Sequence, residues 1–562
     1  MLPHVTAVRR RIAESAAAFR DVVANEQLRR LELAWTAHII GHWAYIVAVS
    51  VYAYGVGGEA AVGLLLLLRF VPAALIAPFA GLLADRYRRE RVLLGVNLAR
   101  LVLVGGAAVC VFLDADPVIV YVLAVAAAIA TTPYRSAQAA VTPSLARSPT
   151  ELTAANAVTS TVESLASFVG PALAGLLLAL ASTGTVFVVT AGFVAVSTWF
   201  VLRIDAPRSE RQREIEATTV VSEALAGFRT LAREPALRVL VGLFTAQTFV
   251  AGAVQVYLVV VAIELLDLGD AGVGFLNSAM GVGALLGGVL ALSLTGARRL
   301  SPAFMFGVVL WGVPLIALGL WQAAGFALIM LGLLGVGNSL VDVAAFTLVQ
   351  RAVPDEVLAR VFGILQMLWL ASVGVGAFVA PLLIEWLGLE GALIATGVFL
   401  PALVFVFGRK VARIDAAAAA PDAGQLRILG SVPIFAPLPG TTLEHLAGRL
   451  VPMRLEPGTI IVREGDSGDR FYIVAEGAVE VSQIGAVVSE LESGGYFGEI
   501  ALIRDIPRTA TVTARTDVVL YALDREDFLA AVTGHPQAAE AAETVMSARL
   551  SGLTATGYRS TP

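Results

Sequence analysis

Residues 494–512 read GGYFGEIALIRDIPRTATV, a glycine, an acid and a late arginine in an order suited to a small anion that carries a sugar. Gly498 lets the backbone come close to a ligand, and the residues after it read as a short helix whose unpaired N–H groups favour an anion. Arg508 adds a permanent charge with a bidentate fork for phosphate. Glu499 is a poor phosphate ligand but a good acceptor for a sugar hydroxyl. The other charged groups of interest lie inside long apolar runs: Arg69, Arg100, Glu163 and Asp342, with His38 and His42 on one helix face. A charge at mid-bilayer costs about 2.5–3.5 kcal/mol on insertion scales, so each must be paired or functional. For Arg100 and His38 the expectation is pairing with each other or with helix ends. For Glu163 and Asp342 a structural pair and a protonatable carboxylate facing a cavity both stay open, and Arg69 and His42 are further candidates for that cavity.

These groups stand in a chain of 562 residues that is 57% hydrophobic and only 15% charged, with a mean hydropathy of +0.80. Soluble domains are nearer 45–50% apolar with about a quarter charged, so most of this chain belongs in a bilayer. The lone Cys110 forms no internal disulfide and reads as packing. Lys410 is the only lysine and lies outside any GxxxxGK[ST] motif, which excludes a P-loop and direct ATP coupling. No TVGYG filter is present, which argues against a potassium channel. No metal site, cofactor or enzymatic constellation is expected.

Apolar runs long enough to cross roughly 30 Å of hydrocarbon fall into about twelve spans, divided six and six by a polar connection. Residues 1–30 read as a cytosolic amphipathic helix, 31–203 as the first six-helix half, 204–237 as a central loop and 238–411 as the second half. Arginines gather in alternate connections, at Arg86, Arg88, Arg89 and Arg91, at Arg135 and Arg147, at Arg298 and Arg299, and at Arg409 and Arg413. The connections around Gly58, Asp114, Thr183, Asp267, Gln322 and Leu387 have none. The positive-inside rule then places both termini in the cytoplasm of a cell whose inner (plasma) membrane the chain spans. At one constant offset Glu151, Leu165, Ala166 and Ser167 fall on Glu356, Leu370, Ala371 and Ser372, which suggests a parallel duplication.

After a linker at 412–425 the composition changes. Residues 426–550 contain short β-rich runs (TIIVRE, RFYIVAEG, AVEVSQI, TATVTA, VVLYAL) between Gly and Asp turns, which suggests a jelly roll flanked by helices. The fold class is thus an all-α membrane protein with a C-terminal α+β soluble domain and a tail at 551–562. REGDSGDRFY reads as a hairpin turn, because its acids lack the spacing of a calcium loop.

The loop GLLADRYRRER between the second and third spans resembles the GxxxDRxxRR signature of the major facilitator superfamily, carried here by Gly81, Asp85, Arg86 and Arg89. LLRFVPAALIAPFAGLLADRYRRERVL, GPALAG and VPDEVLARVFG are similar to the macrolide-efflux-like, drug:proton antiporter branch. That resemblance implies a proton-coupled exporter of an unknown small molecule, with Asp85 and Arg86 holding the cytoplasmic ends of the two bundles together in one state. GPALAG departs by one residue from the antiporter pattern GPxxG.

VPIFAPLP, EPGTIIVREGDSGDRFYIVAEGAVEV and FGEIALIRDIPRTATV together resemble a cyclic-nucleotide-binding domain. The resemblance implies that Gly498, Ile500 and Ala501 offer backbone to the cyclic phosphate, Arg508 pairs with it and Thr509 adds a hydroxyl. It also implies that Glu499 takes the ribose 2′-OH and that Arg549 caps the base. The regulatory ligand is then cAMP, with cGMP the less favoured purine. The short stretch after Leu550 has no room for a helix-turn-helix, so nucleic acid is not an expected partner. The function implied is a transporter controlled by cyclic nucleotide. The rival readings are a cyclic-nucleotide exporter that senses its product and a non-transporting membrane receptor.

Overall fold

A computed structural model describes residues 22–205, 231, 235–291, 299–352, 355–417 and 423–557. The chain divides into two compact units at Asp415 and Ala416. In the first, α1 (Glu26–Arg86), α2 (Arg89–Phe112), α3 (Pro117–Thr131), α4 (Pro133–Leu145), α5 (Pro149–Leu180) and α6 (Thr183–Val201) are followed by α7 (Pro235–Val260). A single π-helical turn, Val261–Leu265, ends α7, and α8 (Gly269–Ala291), α9 (Ser301–Leu320), α10 (Ala324–Ala352) and α11 (Asp355–Ala417) complete the unit. Among the described residues ten helices are long and apolar enough to cross a membrane.

Two of the ten, Glu26–Phe79 and Val361–Arg413, have 54 and 53 residues, close to 80 Å each at about 1.5 Å per residue. Each is broken by glycine. Gly58 has φ +63° and Gly388 has φ +70°, in the left-handed region that side chains disfavour. Each long helix therefore turns once and supplies two spans, which recovers the twelve read from the apolar runs. Residues 26–30, expected in a separate surface helix, instead begin the first span. Leu28 and Leu31 are buried there with Trp35, Leu93, Tyr134 and Val158. Residues 1–21, the rest of that expected helix, lie outside the described residues, as does most of the central loop.

Helix ends are tied by side chains. Ser148 accepts from the Glu151 backbone N–H at 3.1 Å and Glu151 accepts from the Arg147 N–H at 2.5 Å, the reciprocal logic of a capping box. Asp415, fully buried, accepts from the Ser301 N–H at 2.8 Å and so holds the end of the last span against the start of α9.

The two halves meet along small residues, as helices in lipid require for close approach. A Cβ on Gly274 of α8 would stand 2.4 Å from Gly175 Cα and 2.6 Å from the Pro171 carbonyl of α5. On the other face of α5, a Cβ on Gly170 would meet Trp43 Cβ at 2.5 Å. The first and last glycines of GPALAG thus press α5 against a neighbour on each side. Gly63 makes a matching approach to the Ala377 carbonyl, 2.7 Å from its would-be Cβ.

In the second unit α12 (Ala423–Ser431) and α13 (Gly440–Arg449) precede β1 (Val451–Leu455), β2 (Ile460–Val462), β3 (Arg470–Glu476), β4 (Val479–Gln483), β5 (Ala486–Leu491) and β6 (Tyr496–Phe497). Then come α14 (Glu499–Arg504), β7 (Thr511–Ala514), β8 (Val518–Asp524), α15 (Arg525–Thr533) and α16 (Pro536–Gly557). The strands form two antiparallel sheets, β1-β8-β3-β6 and β2-β7-β4-β5. Side chains alternate across a strand, and β3 uses both faces. Tyr472 and Val474 pack between the sheets with Val479, Val512 and Leu520. Phe471 and Ile473 pack on the helices, where Phe471 stacks on Phe528 at 4.8 Å and meets Phe435 edge-on at 5.4 Å.

Gly274→Leu is expected to force α5 and α8 apart and cost about 1–3 kcal/mol, the usual range for overpacking. Gly288→Leu on the same helix, where an added Cβ meets nothing within 4 Å, is the control. Thermal unfolding of the detergent-purified chain should show a lower Tm for the first variant only; equal Tm values would refute the close contact.

Candidate functional site

The charged groups of the membrane unit are paired unevenly. Arg100, 2% exposed, places Nη1 3.2 Å from the His38 ring nitrogens and donates it to the His38 carbonyl at 3.4 Å. His38 in turn stacks on Tyr134 at 3.6 Å. His42 lies 6.5 Å from His38 with its ring nearly parallel. Glu163 forms an ion pair with Arg135, and Asp342 accepts from Asn338 Nδ2 at 2.9 Å. Arg69, 4% exposed, lies 5.5 Å from the Tyr45 ring and makes no ion pair with a described carboxylate.

The nucleotide-type constellation is built in the second unit, around a cavity of about 340 Å³. Between β6 and α14 the chain turns at Gly498, φ +98°, where a Cβ would stand 2.6 Å from Arg508 Nη1 and 2.9 Å from the Arg470 carbonyl. Only glycine fits both the angle and the space. Arg508 is 5% exposed and already oriented. Its Nη2 donates to the Arg470 carbonyl at 2.8 Å and to Asp469 Oδ1 at 3.3 Å, and its Nη1 donates to the Gly498 carbonyl at 3.2 Å. The REGDSGDRFY turn supplies this support, because the Arg508 N–H also donates to the Asp466 carbonyl at 2.8 Å.

Glu499 is 1% exposed. One carboxylate oxygen accepts from Arg549 Nη1 at 2.7 Å, and the other, Oε2, has no hydrogen-bond partner among the described residues. Burial pushes its pKa above the usual carboxylate range, with Arg549 opposing. Arg549, expected over a base, lines the same cavity; its Nη2 donates to the Tyr496 carbonyl at 3.0 Å, and the guanidinium lies 4.3 Å over the Tyr496 ring. Gly498, Ile500, Ala501 and Thr509 line the same cavity, with Val462, Val481, Val488 and Leu491 as its apolar wall. The first-turn amides of α14 have no intrahelical partner, so the cavity offers a cation, backbone donors, an unused acceptor and an apolar surface.

The Major Facilitator Superfamily model matches residues 33–369, more than half of the chain. The chain belongs to the major facilitator superfamily. A cyclic nucleotide-binding domain model matches residues 452–535, and the C-terminal unit is such a domain. Over 102 residues the chain is 43% identical to the cAMP-dependent protein kinase regulatory subunit of Yarrowia lipolytica, covering 18% of this chain and 27% of that protein. Over 84 residues it is 41% identical to the cGMP-dependent protein kinase egl-4 of Caenorhabditis elegans, covering 15% of this chain and 11% of that one. The chain thus spans about a quarter or less of the length of these relatives. The solved structure of the nucleoside transporter NupG aligns with a TM-score of 0.58 at 11% identity, over 69% of this chain and 100% of its own. That likeness concerns the fold.

In this facilitator chain the signature loop joins α1 to α2 through Tyr87 and Arg88. Arg89 Nη1 donates to the Ala140 carbonyl of α4 at 2.8 Å, which ties the loop to the fourth span. Gly81 lies on α1, and the side chains of Asp85 and Arg86 lie outside the described residues. Sequence reasoning missed Glu32, which is 5% exposed and accepts from Thr159 Oγ1 at 2.8 Å through one oxygen, while Oε2 has no partner among the described residues. Its signal was available: Leu28, Glu32 and Trp35 fall at helical spacing on one face. It also missed Asp469 and the carbonyls that hold Arg508, which no residue-type pattern marks.

Arg549→Ala should strip Glu499 of its ionic partner and raise the carboxyl pKa further. The folded form then holds the proton more tightly than the unfolded form, so the variant keeps its stability in acid and loses it as pH rises through the folded pKa. At neutral pH a loss of about 2 kcal/mol is expected, the range for a hydrogen bond to a charged group. Thermal melts of the full chain across pH 4–8 check this, and a wild-type pH profile in the variant would contradict the pairing.

Proposed function

We propose that this chain is a secondary transporter whose activity is set by cAMP bound in the C-terminal cavity. The observation that carries the reading is the pair of opposed groups lining that one cavity, a buried arginine held ready and a buried carboxylate with one unused oxygen. Arg508, the Ile500 and Ala501 amides, the Gly498 backbone and the Thr509 hydroxyl would hold the cyclic phosphate. Glu499 would take the ribose 2′-OH through Oε2, and the valine and leucine wall would cover the purine. The similarity to a cAMP-dependent kinase regulatory subunit supports cAMP as the ligand.

Arg549 offers a route from ligand to conformation. A ribose hydroxyl on Glu499 competes for the charge that Arg549 now holds, so nucleotide binding biases the position of α16. Allosteric coupling is typically worth about 1–3 kcal/mol, enough to change transport about 5- to 150-fold. In the membrane unit the reading is proton-coupled export with both termini cytoplasmic. Glu163 and Asp342 are the proposed protonatable groups, Arg69 and His42 face the substrate path, and the Gly81, Asp85, Arg86, Arg89 loop gates the cytoplasmic side.

Calorimetry of the full chain should show saturable cAMP binding. Arg508→Ala is expected to lose about 100-fold in affinity and Glu499→Gln about tenfold, roughly 2.7 and 1.4 kcal/mol. Equal heats in wild type and Arg508→Ala would refute the site. In proteoliposomes under a proton gradient, cAMP should change the flux of candidate compounds, and Glu163→Gln should abolish it. Transport of labelled cAMP itself would instead identify the nucleotide as cargo.

A further inference from the structure

The membrane unit contains two deeply buried arginines with no counter-charge among the described residues. Arg69, on the second span, is 4% exposed, and its Nε and Nη1 have no hydrogen-bond partner among the described residues. Arg100, on the third, is 2% exposed; its Nη1 is used by His38, but its Nη2 has no partner. Neither forms an ion pair with a described carboxylate. Tyr45, on the first span, is 2% exposed, and its hydroxyl also lacks a partner, while its ring lies 5.5 Å from the Arg69 guanidinium. Arg69 and Arg100 both act electrostatically on Tyr45 and on His42, and Arg100 contacts His38, whose ring lies 6.5 Å from that of His42.

A buried ion persists when something compensates its lost hydration. Here three spans bring two guanidinium groups and a phenol together, and the described residues supply no negative charge to answer them. Guanidinium groups present planar pairs of N–H donors that match the two oxygens of a carboxylate or phosphate, and the tyrosine hydroxyl adds a neutral donor. His38 and His42 beside them carry no negative charge at any pH.

We propose that the compound carried by this transporter is an organic anion, whose carboxylate or phosphate group is held between Arg69 and Arg100 with Tyr45 as a third donor. This rests on the transporter reading of the membrane unit and names its substrate class. The arginines are then poorly satisfied without substrate and well satisfied with it, so the energy of binding comes from neutralising a charge already placed in the membrane.

The test uses the full chain carrying Arg508→Ala, so that the nucleotide cavity does not bind the probes. Salicylate and phenyl phosphate are the anionic probes, and benzamide and benzylamine the neutral and cationic controls. Thermal unfolding in detergent should show saturable protection by one or both anions and none by the controls. The anion that protects more identifies the group, carboxylate or phosphate. Arg69→Gln and Arg100→Gln should each weaken protection at least tenfold, and Arg69→Lys should retain part of it. Without probe, Arg69→Gln should melt at or above the parent Tm, because it removes an unanswered buried charge; an arginine with a purely structural role would melt lower when removed.

Equal protection by all four probes, no protection by either anion, or anion protection that survives both Gln variants would overturn the proposal. Anion binding with no flux of the same anion in proteoliposomes would support the site and overturn the transporter reading on which the substrate assignment rests.

Discussion

Backbone amides in hydrocarbon have no water to bond to, and that constraint orders everything else in the first unit. It forces the chain into long helices, two of which turn only where Gly58 and Gly388 adopt left-handed angles. It also removes the hydrophobic drive for helices to associate, because lipid is as apolar as leucine. Close backbone approach at Gly175, Gly274, Gly170 and Gly63 takes over that role. The same dry interior makes each buried charge expensive, so Arg69, Arg100, Glu32 and Asp342 are the positions where function has to be sought.

The soluble unit solves the opposite problem. Its two sheets and their helices bury apolar faces in the ordinary way, and the charged groups of its cavity are held ready by neighbours. Arg508 is held by carbonyls from two different segments, so its fork is set before any ligand arrives. Glu499 gives one oxygen to Arg549 of α16 and keeps the other without a partner among the described residues. On the proposed reading, affinity and conformational response would meet in one carboxylate.

A transporter whose buried cations outnumber their partners and a sensor whose buried acid is half satisfied follow one rule. In both units a polar group is kept out of water and left partly unanswered among the described residues, and a ligand would complete it. The membrane unit would do so for an anion in transit, and the soluble unit for a nucleotide that reports on the cell.

Much of this was legible without coordinates. Apolar run length determined the membrane class and twelve spans, since crossing hydrocarbon requires a minimum number of apolar residues. Local residue types determined the nucleotide-type cassette, since Gly498, Glu499 and Arg508 lie within one short stretch and their chemistry is local. What tertiary structure decided was every pairing between distant segments: Arg549 with Glu499, Asp469 with Arg508, Asp415 with the start of α9, and Thr159 with Glu32. Sequence did not single out Glu32 and did not pair Arg549 with Glu499, because residue type says which bonds a side chain can make and only the packed fold says which partner is within reach. Whether a charge is answered is a property of its neighbours in space, and for Arg69 and Arg100 that neighbourhood exists only once three spans are side by side.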